Sequence, residues 1–272
     1  MTDGRWIEVG DRVLVRRYEE LDLSLGLVVG EEGCLVIDTG GDQTQGAEWA
    51  ALVREVTPLP RQVLLTHSHF DHSFGTRPFL PCPVWAHRRC RADLAATGVE
   101  QRDKWARHYR ESGQTDIGDR IAEVELVLPD RLVDDTADLD LGGRVVTLHH
   151  FGPAHSDHDL VALVRDADLV FAGDLVEQGA PPSFGGAWPA RWPSVLDGIL
   201  GLGTTTVLPG HGEPVDRDFV LAQRNELAVV AELCRAVAAG ELAEDEAVRR
   251  SPYPAEFTRS ALSRPAGIDA VG

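Results

Sequence analysis

The chain has 272 residues, 43% of them hydrophobic and 26% charged, enough to bury one substantial core and too apolar for the disordered or fibrous classes. No apolar run nears the roughly 18 residues of a membrane span, and the opening MTDGRWIEVG lacks a leader's basic and apolar regions, so a cytoplasmic home is expected. A net charge of −18 would repel a phosphate backbone, which argues against nucleic acid as a partner.

Strands are predicted over 12–18, 24–29 and 34–37, the later two divided by a Gly30-Glu31-Glu32-Gly33 turn. A helix over about 44–56 should bury Trp49, Leu52, Val53 and Val56, with Pro58 closing it. A short strand over 62–66 leads into His67-Ser68-His69-Phe70-Asp71-His72; another strand is expected at 84–86 and a strongly charged helix over 88–111. Strands at 144–150, 159–164 and 169–172 follow, then a Gly/Pro/aromatic loop over 178–193, a helix over 194–202, a strand at 205–208 and a loop over 209–214. The last clear helix carries Phe219, Val220, Leu227, Val230, Cys234 and Val237 on one stripe, capped by Asp216 and ended by Gly240. The tail from Ser251 gives no clear pattern. Alternating elements without a composition break predict one α/β domain over 1–272, its motif-bearing core at about 26–214 and a helical region at 215–272. Cys34, Cys82, Cys90 and Cys234 form no CxxC pair and read as small hydrophobes at buried or half-buried positions.

His67 and His69, two apart, fall on one side of an extended segment, and Asp71 and His72 follow at once. Four nitrogen and oxygen donors in six residues suit zinc, iron or manganese. Three more donors stand where apolar β runs meet loops: His155 in FGPAHSDHDL, Asp174 in FAGDLV and His211 in LPGHGEP. Only tertiary folding can bring these segments together, and loops at strand ends are where such sites are built.

With Asp38 these residues stand in the order and contexts of five motifs, so the chain resembles the metallo-β-lactamase superfamily from about Gly26 to Pro214. The resemblance implies a four-layer αβ/βα sandwich, two sheets packed face to face with helices outside. It implies a first metal on His67, His69 and His155, a second on Asp71, His72 and His211, and Asp174 bridging them. Asp38 would steady the histidine loop from behind. The cofactor implied is two divalent metal ions per chain, zinc by donor type, with iron or manganese as alternatives. The activity implied is hydrolysis, by a metal-bound water activated near neutral pH, of an ester, thioester, lactone or amide bond in a small molecule. Asp71 would accept the proton, and His158, three residues after His155, is a second candidate for proton transfer.

True lactamases of the superfamily carry Cys or Ser where this chain has Asp174, which argues against antibiotic hydrolysis. Glyoxalase II and related thioesterases share the metal residues, but their basic glutathione-binding segment has no counterpart after Asp174. Lactonases share the same set. A mononuclear iron persulfide dioxygenase is the alternative from another class, and a phosphodiesterase or nuclease is a minor one. Phe184, Trp188 and Trp192 offer an apolar pocket wall and Arg191 an anion contact, against the reading that the aromatics only anchor their loop. Trp105 and Tyr109 would overhang the site or mark a solvated helix face. His87 and His108 read as structural or surface residues. A homodimer stays open.

Overall fold

The computed structural model describes residues 4–264. They form a mixed α/β structure with two sheets, thirteen strands and eight α-helices. The chain divides into two compact units, one ending at His150 and the other beginning at Phe151.

The first unit carries a seven-stranded sheet in which spatial order follows chain order. Strands β1 (Gly4–Gly10), β2 (Val13–Tyr18), β3 (Ser24–Val29) and β4 (Cys34–Ile37) form an antiparallel meander. From β4 onward the pairing is parallel through β5 (Arg61–Leu64), β6 (Val84–His87) and β7 (Arg131–Val133). Parallel neighbours need long crossovers, and these are the helices: α1 (Gln43–Val56) and the one-turn α2 (Phe70–Ser73) on the way to β6, then α3 (Arg88–Glu111) and α4 (Thr115–Ala122) before β7. Asp42 caps α1 by accepting the N–H groups of Thr44 at 2.7 Å and Gln45 at 2.9 Å. Trp49 and Val53 are buried as expected, but Val56 is 42% exposed, because the helix gives way there to Thr57 and the apolar stripe ends a turn early. The β1 strand and α4 were not expected; in β1 Arg5 and Glu8 are exposed and the other residues half-buried, so no clean alternation marks it. β8 (Thr136–Asp140), also not expected, pairs with β9 (Val145–His149) through a turn whose Gly142 and Gly143 have φ of 81° and 71°.

In the second unit the order is β13-β12-β11-β10, with β10 (Val161–Val164) antiparallel to β11 (Leu169–Glu177), β11 parallel to β12 (Thr206–His211), and β13 (Val215–Asp216) antiparallel to β12. Every residue of β11 is buried, so the strand runs five residues past its expected end and carries Asp174 in its interior. Likewise β12 continues through His211, in what the sequence presents as a loop. The crossover α5 (Trp192–Gly201) starts two residues earlier than expected because Trp192 is fully buried. Helix α6 (Arg217–Ala238) has the expected cap, Asp216 accepting the Phe219 N–H at 2.9 Å, and ends just before Gly240 at φ 72°. Two helices without a sequence signal follow, α7 (Glu244–Arg250) and α8 (Ala255–Leu262). All four cysteines are free; three are buried and Cys82 is half-buried. No helix among the described residues is long and apolar enough to cross a membrane.

Candidate metal centre

The first unit gathers four of the expected donors just beyond β5. The chain bends through Thr66, His67 and Ser68, and His69 stands in extended geometry at the start of α2. The ring of His67 lies 4.6 Å from that of His69 and 4.4 Å from that of His72, centroid to centroid. Asp71 Oδ2 is 3.7 Å from His72 Nε2. Except for the half-buried His69, these side chains are buried.

Behind them Asp38 acts as a hub. It follows β4 in left-handed geometry at φ 60°, a conformation Asp tolerates better than most residues, while its N–H still bonds Leu64 O at 2.8 Å. Its carboxylate is 2% exposed and accepts the Thr66 N–H, the Thr66 hydroxyl and His72 Nδ1, each at 2.8 Å. The proton on His72 is thereby fixed at Nδ1, and the lone pair at Nε2. Because the Thr66 hydroxyl donates to Asp38, its oxygen accepts from His67 Nδ1 at 3.0 Å, which fixes the second ring in the same tautomer. Thr66, which the sequence reading passed over, therefore carries Asp38's influence to His67. Its signal was a hydroxyl residue directly before the histidine cluster. Ser68 ties the same loop to α3, donating to Asp93 Oδ2 at 2.6 Å.

Helix α3 is more than a solvated face. Trp105 stacks on Phe70 with centroids 4.5 Å apart, and Tyr109 is 4% exposed, so the helix clamps the short turn that bears Asp71. Glu20 sits beside Tyr109, and burial is the first cause that raises its carboxyl pKa from 4.5, against the hydrogen bond from Tyr109.

The second unit supplies the other three donors. Asp174 Oδ2 lies 3.5 Å from His155 Nε2 and 3.5 Å from His211 Nε2, so one carboxylate oxygen faces two imidazoles, one from the bent segment between β9 and β10 and one from the end of β12. Gly210 makes room for it: a Cβ there would fall 1.9 Å from Asp174 Oδ1. The segment after His155 is closed by a clasp in which Ser156 donates its N–H to Asp159 Oδ2 at 2.8 Å and its hydroxyl to Asp159 Oδ1 at 2.7 Å. Burial raises the Asp159 carboxyl pKa, opposed by the His158 ring and the Ser156 hydrogen bonds. His158 is itself buried, with Nδ1 2.7 Å from Asp157 Oδ1.

The residues expected to wall a pocket divide into two pairs. Phe184 and Trp192 are 1% and 0% exposed within the apolar cluster of the second unit, where Trp192 Nε1 donates to Leu175 O at 3.0 Å; they anchor the loop. The Trp192 ring also meets His155 edge-on at 5.7 Å. Trp188 and Arg191 are half-buried, and the Trp188 N–H bonds Ala154 O at 2.7 Å, which ties the loop to the His155 segment. Of the remaining histidines, His87 caps α3 through Nδ1 and bonds Asp134 O through Nε2, a structural role, and His108 is exposed.

The rings of His67 and His72 with their Nδ1 atoms tied down, and an Asp174 oxygen between two imidazoles, belong to a donor set suited to divalent metals. The family model described as the metallo-beta-lactamase superfamily matches residues 24–218. A probable metallo-hydrolase of Bacillus subtilis, YqgX, is 30% identical over 197 residues, covering 70% of this chain and 84% of that protein. The acyl-coenzyme A thioesterase MBLAC2 of Gallus gallus is 29% identical over 165 residues, 58% of each chain. Among solved structures, a metallo-beta-lactamase from Pontibacter korlensis has a TM-score of 0.66 at 16% identity, covering 83% of this chain and 99% of its own. Another, from Hirschia baltica, has a TM-score of 0.65 at 14% identity, with coverages of 82% and 96%. These two likenesses concern the fold alone.

Proposed function

Because the chain belongs to the metallo-β-lactamase superfamily and has its fold, we propose that it is a binuclear metal-dependent hydrolase of acyl bonds, with a thioester as its first candidate substrate. His67, His69 and His155 would hold one metal, Asp71, His72 and His211 the other, and Asp174 would bridge. The observation that carries the binuclear reading is Asp174 Oδ2, equally 3.5 Å from the Nε2 atoms of His155 and His211. A single carboxylate oxygen facing two imidazoles suits a ligand shared between two ions. Divalent ions bound there supply a Lewis acid for the carbonyl and lower the pKa of a bound water.

The chain's own groups would do the rest. Asp38, directly and through Thr66, holds the protons of His72 and His67 at Nδ1 and so presents Nε2 as the ligand atom. Asp71, a carboxylate beside His72, is the acceptor for the nucleophile's proton. His158, with Nδ1 turned to Asp157, would exchange a proton with the leaving group at Nε2. The thioester preference rests on the likeness to acyl-coenzyme A thioesterases and on Asp174 standing where true lactamases carry Cys or Ser.

The test is elemental analysis of protein purified without added metal, joined to turnover of thioester, lactone, β-lactam and phosphodiester chromogens. About two divalent ions per chain with thioester hydrolysis is the expected result. A single iron with oxygen uptake on a persulfide and no hydrolysis would overturn the proposal.

A further inference from the structure

Along α3, Asp93, Thr97, Gln101, Trp105 and Tyr109 recur at every fourth position, the spacing of one ridge on a helix surface. The ridge lies against residues 68–70. Asp93 Oδ2 accepts the Ser68 hydroxyl at 2.6 Å, and the Gln101 amide adds a longer bond to Ser68 O at 3.4 Å. Trp105 stacks on Phe70 with centroids 4.5 Å apart, and Tyr109 meets the same ring edge-on at 6.2 Å. Thr97 braces Asp93 from the next turn, its hydroxyl 3.0 Å from Asp93 O and 3.3 Å from Asp93 Oδ2.

Aromatic stacking alone would hold the turn to the helix. The Ser68 bond adds a narrower restraint. Ser68 is 1% exposed and stands between His67 and His69, so its backbone torsions set the angle between two rings that lie 4.6 Å apart and 80° from parallel. Bonds from histidine to a divalent ion hold their lengths within about 0.2 Å. A few degrees of rotation at Ser68 carries the end of a ring farther than that. A hydroxyl bound to a carboxylate at 2.6 Å is short enough for charge assistance, which makes it one of the stronger restraints a serine can have. From the other side Ser73 Oγ lies 3.1 Å from Ser68 O and 2.9 Å from His69 O, one hydroxyl shared between two carbonyls. The Asp38 network reaches the rings of His67 and His72, whereas this one reaches the backbone between His67 and His69.

We propose that Asp93 is a positioning residue for the metal ligands: acting through Ser68, it fixes the His67–His69 pair in the attitude that receives a divalent ion. The inference rests on the metal reading above.

The test is a cycle of Ser68→Ala, Asp93→Ala, the double variant and Asp93→Asn, each on the full chain stripped of metal and titrated with zinc against a calibrated chelator. Each alanine variant should weaken zinc binding by about tenfold, the low end for a group behind a ligand. The double variant should fall no further than the weaker single, where independent effects would multiply to about a hundredfold. Asp93→Asn, whose amide oxygen can take the Ser68 hydroxyl, should recover most of the affinity. In the metal-free protein, amide hydrogen exchange across 67–72 should quicken in the alanine variants and return toward wild type in the Asn variant. Thermal midpoints report folding; if Asp93→Ala does not fold, Ser68→Ala against the wild type decides. Wild-type zinc affinity in either folded alanine variant, or a multiplied loss in the double, overturns the proposal and leaves the metal centre standing. So does an Asn variant as weak as the Ala one, which would mean that Asp93 acts by charge. Failure of the wild type to bind zinc refutes the metal reading itself, and this inference with it.

Discussion

Replacing Asp38 by Asn is the sharpest single test of how the metal residues are prepared. The change is isosteric, and Oδ1 can go on accepting the Thr66 N–H at 2.8 Å. The other position becomes an NH2 group facing two atoms that now donate to it, the Thr66 hydroxyl and His72 Nδ1. Both must reverse. His72 can accept at Nδ1 only by moving its proton to Nε2, the atom meant for the metal. Thr66, now accepting from Asn, turns its hydroxyl proton toward His67 Nδ1 at 3.0 Å and drives that ring to the same inverted tautomer. Loss of a group behind a metal ligand typically costs about 10- to 100-fold in affinity; with two rings affected, the upper end is expected. Stability should fall less steeply, since three charge-assisted bonds become neutral ones, a net loss of about 1–3 kcal/mol. For a chain of this size that lowers the melting midpoint by roughly 2–5 °C. Zinc competition against a calibrated chelator gives the affinity, and ring nitrogen shifts in the metal-free protein give the tautomers directly. Wild-type zinc affinity in a folded Asp38→Asn variant, or unchanged Nδ1–H tautomers, would refute this account.

Gly210→Ala should abolish tight metal binding and lower the melting midpoint, because the new Cβ would fall 1.9 Å from Asp174 Oδ1; full zinc retention would show that the β11–β12 edge relaxes at little cost. Glu20 has a raised folded-state pKa, so its own contribution to stability is largest below its unfolded value near 4.5 and declines as pH rises through the folded value. Glu20→Gln removes that decline, and its melting midpoint relative to the wild type should be more favourable at pH 8 than at pH 4; a pH-independent difference would contradict this. Burial pushes the Cys34 and Cys234 thiols up to about 11, so at pH 8 on the order of one in a thousand is thiolate. Intact-mass analysis after iodoacetamide treatment of the native protein should find these two unmodified, and rapid labelling of either would count against their burial.

The central strands and the long helices were legible because their apolar period is strong and their ends are chemically marked. Helix α3 kept its expected limits, with His87 capping one end, and α6 began and ended at Asp216 and Gly240. The ends of β11 and β12 were hidden because Gly173-Asp174 and Pro209-Gly210 look like loop punctuation, although both segments are strand interior that needs small residues beside a buried carboxylate. Helices α4, α7 and α8 are short and owe their form to packing on neighbours, which no local pattern reports. At the site, His67, His69, Asp71 and His72 announced themselves by density and His155, Asp174 and His211 by their strand-end contexts. Thr66 showed only as a hydroxyl residue before the cluster, and Ser156 and Asp159 were silent, since a hydroxyl or carboxylate that acts through a neighbour has no spacing rule of its own.

The bond pattern around Asp38 and the Asp159 clasp also bears on what metal removal should do. In a zinc finger the ion organises the chain, so chelation unfolds it. Here the rings of His67 and His72 and the segment after His155 are held by protein groups alone. The entropy of ordering them is lost once, at folding, so within each unit these groups need little further rearrangement to take an ion. Stripping the metal should therefore lower the melting midpoint only by the logarithm of lost occupancy and leave a folded protein that refills without a slow conformational phase.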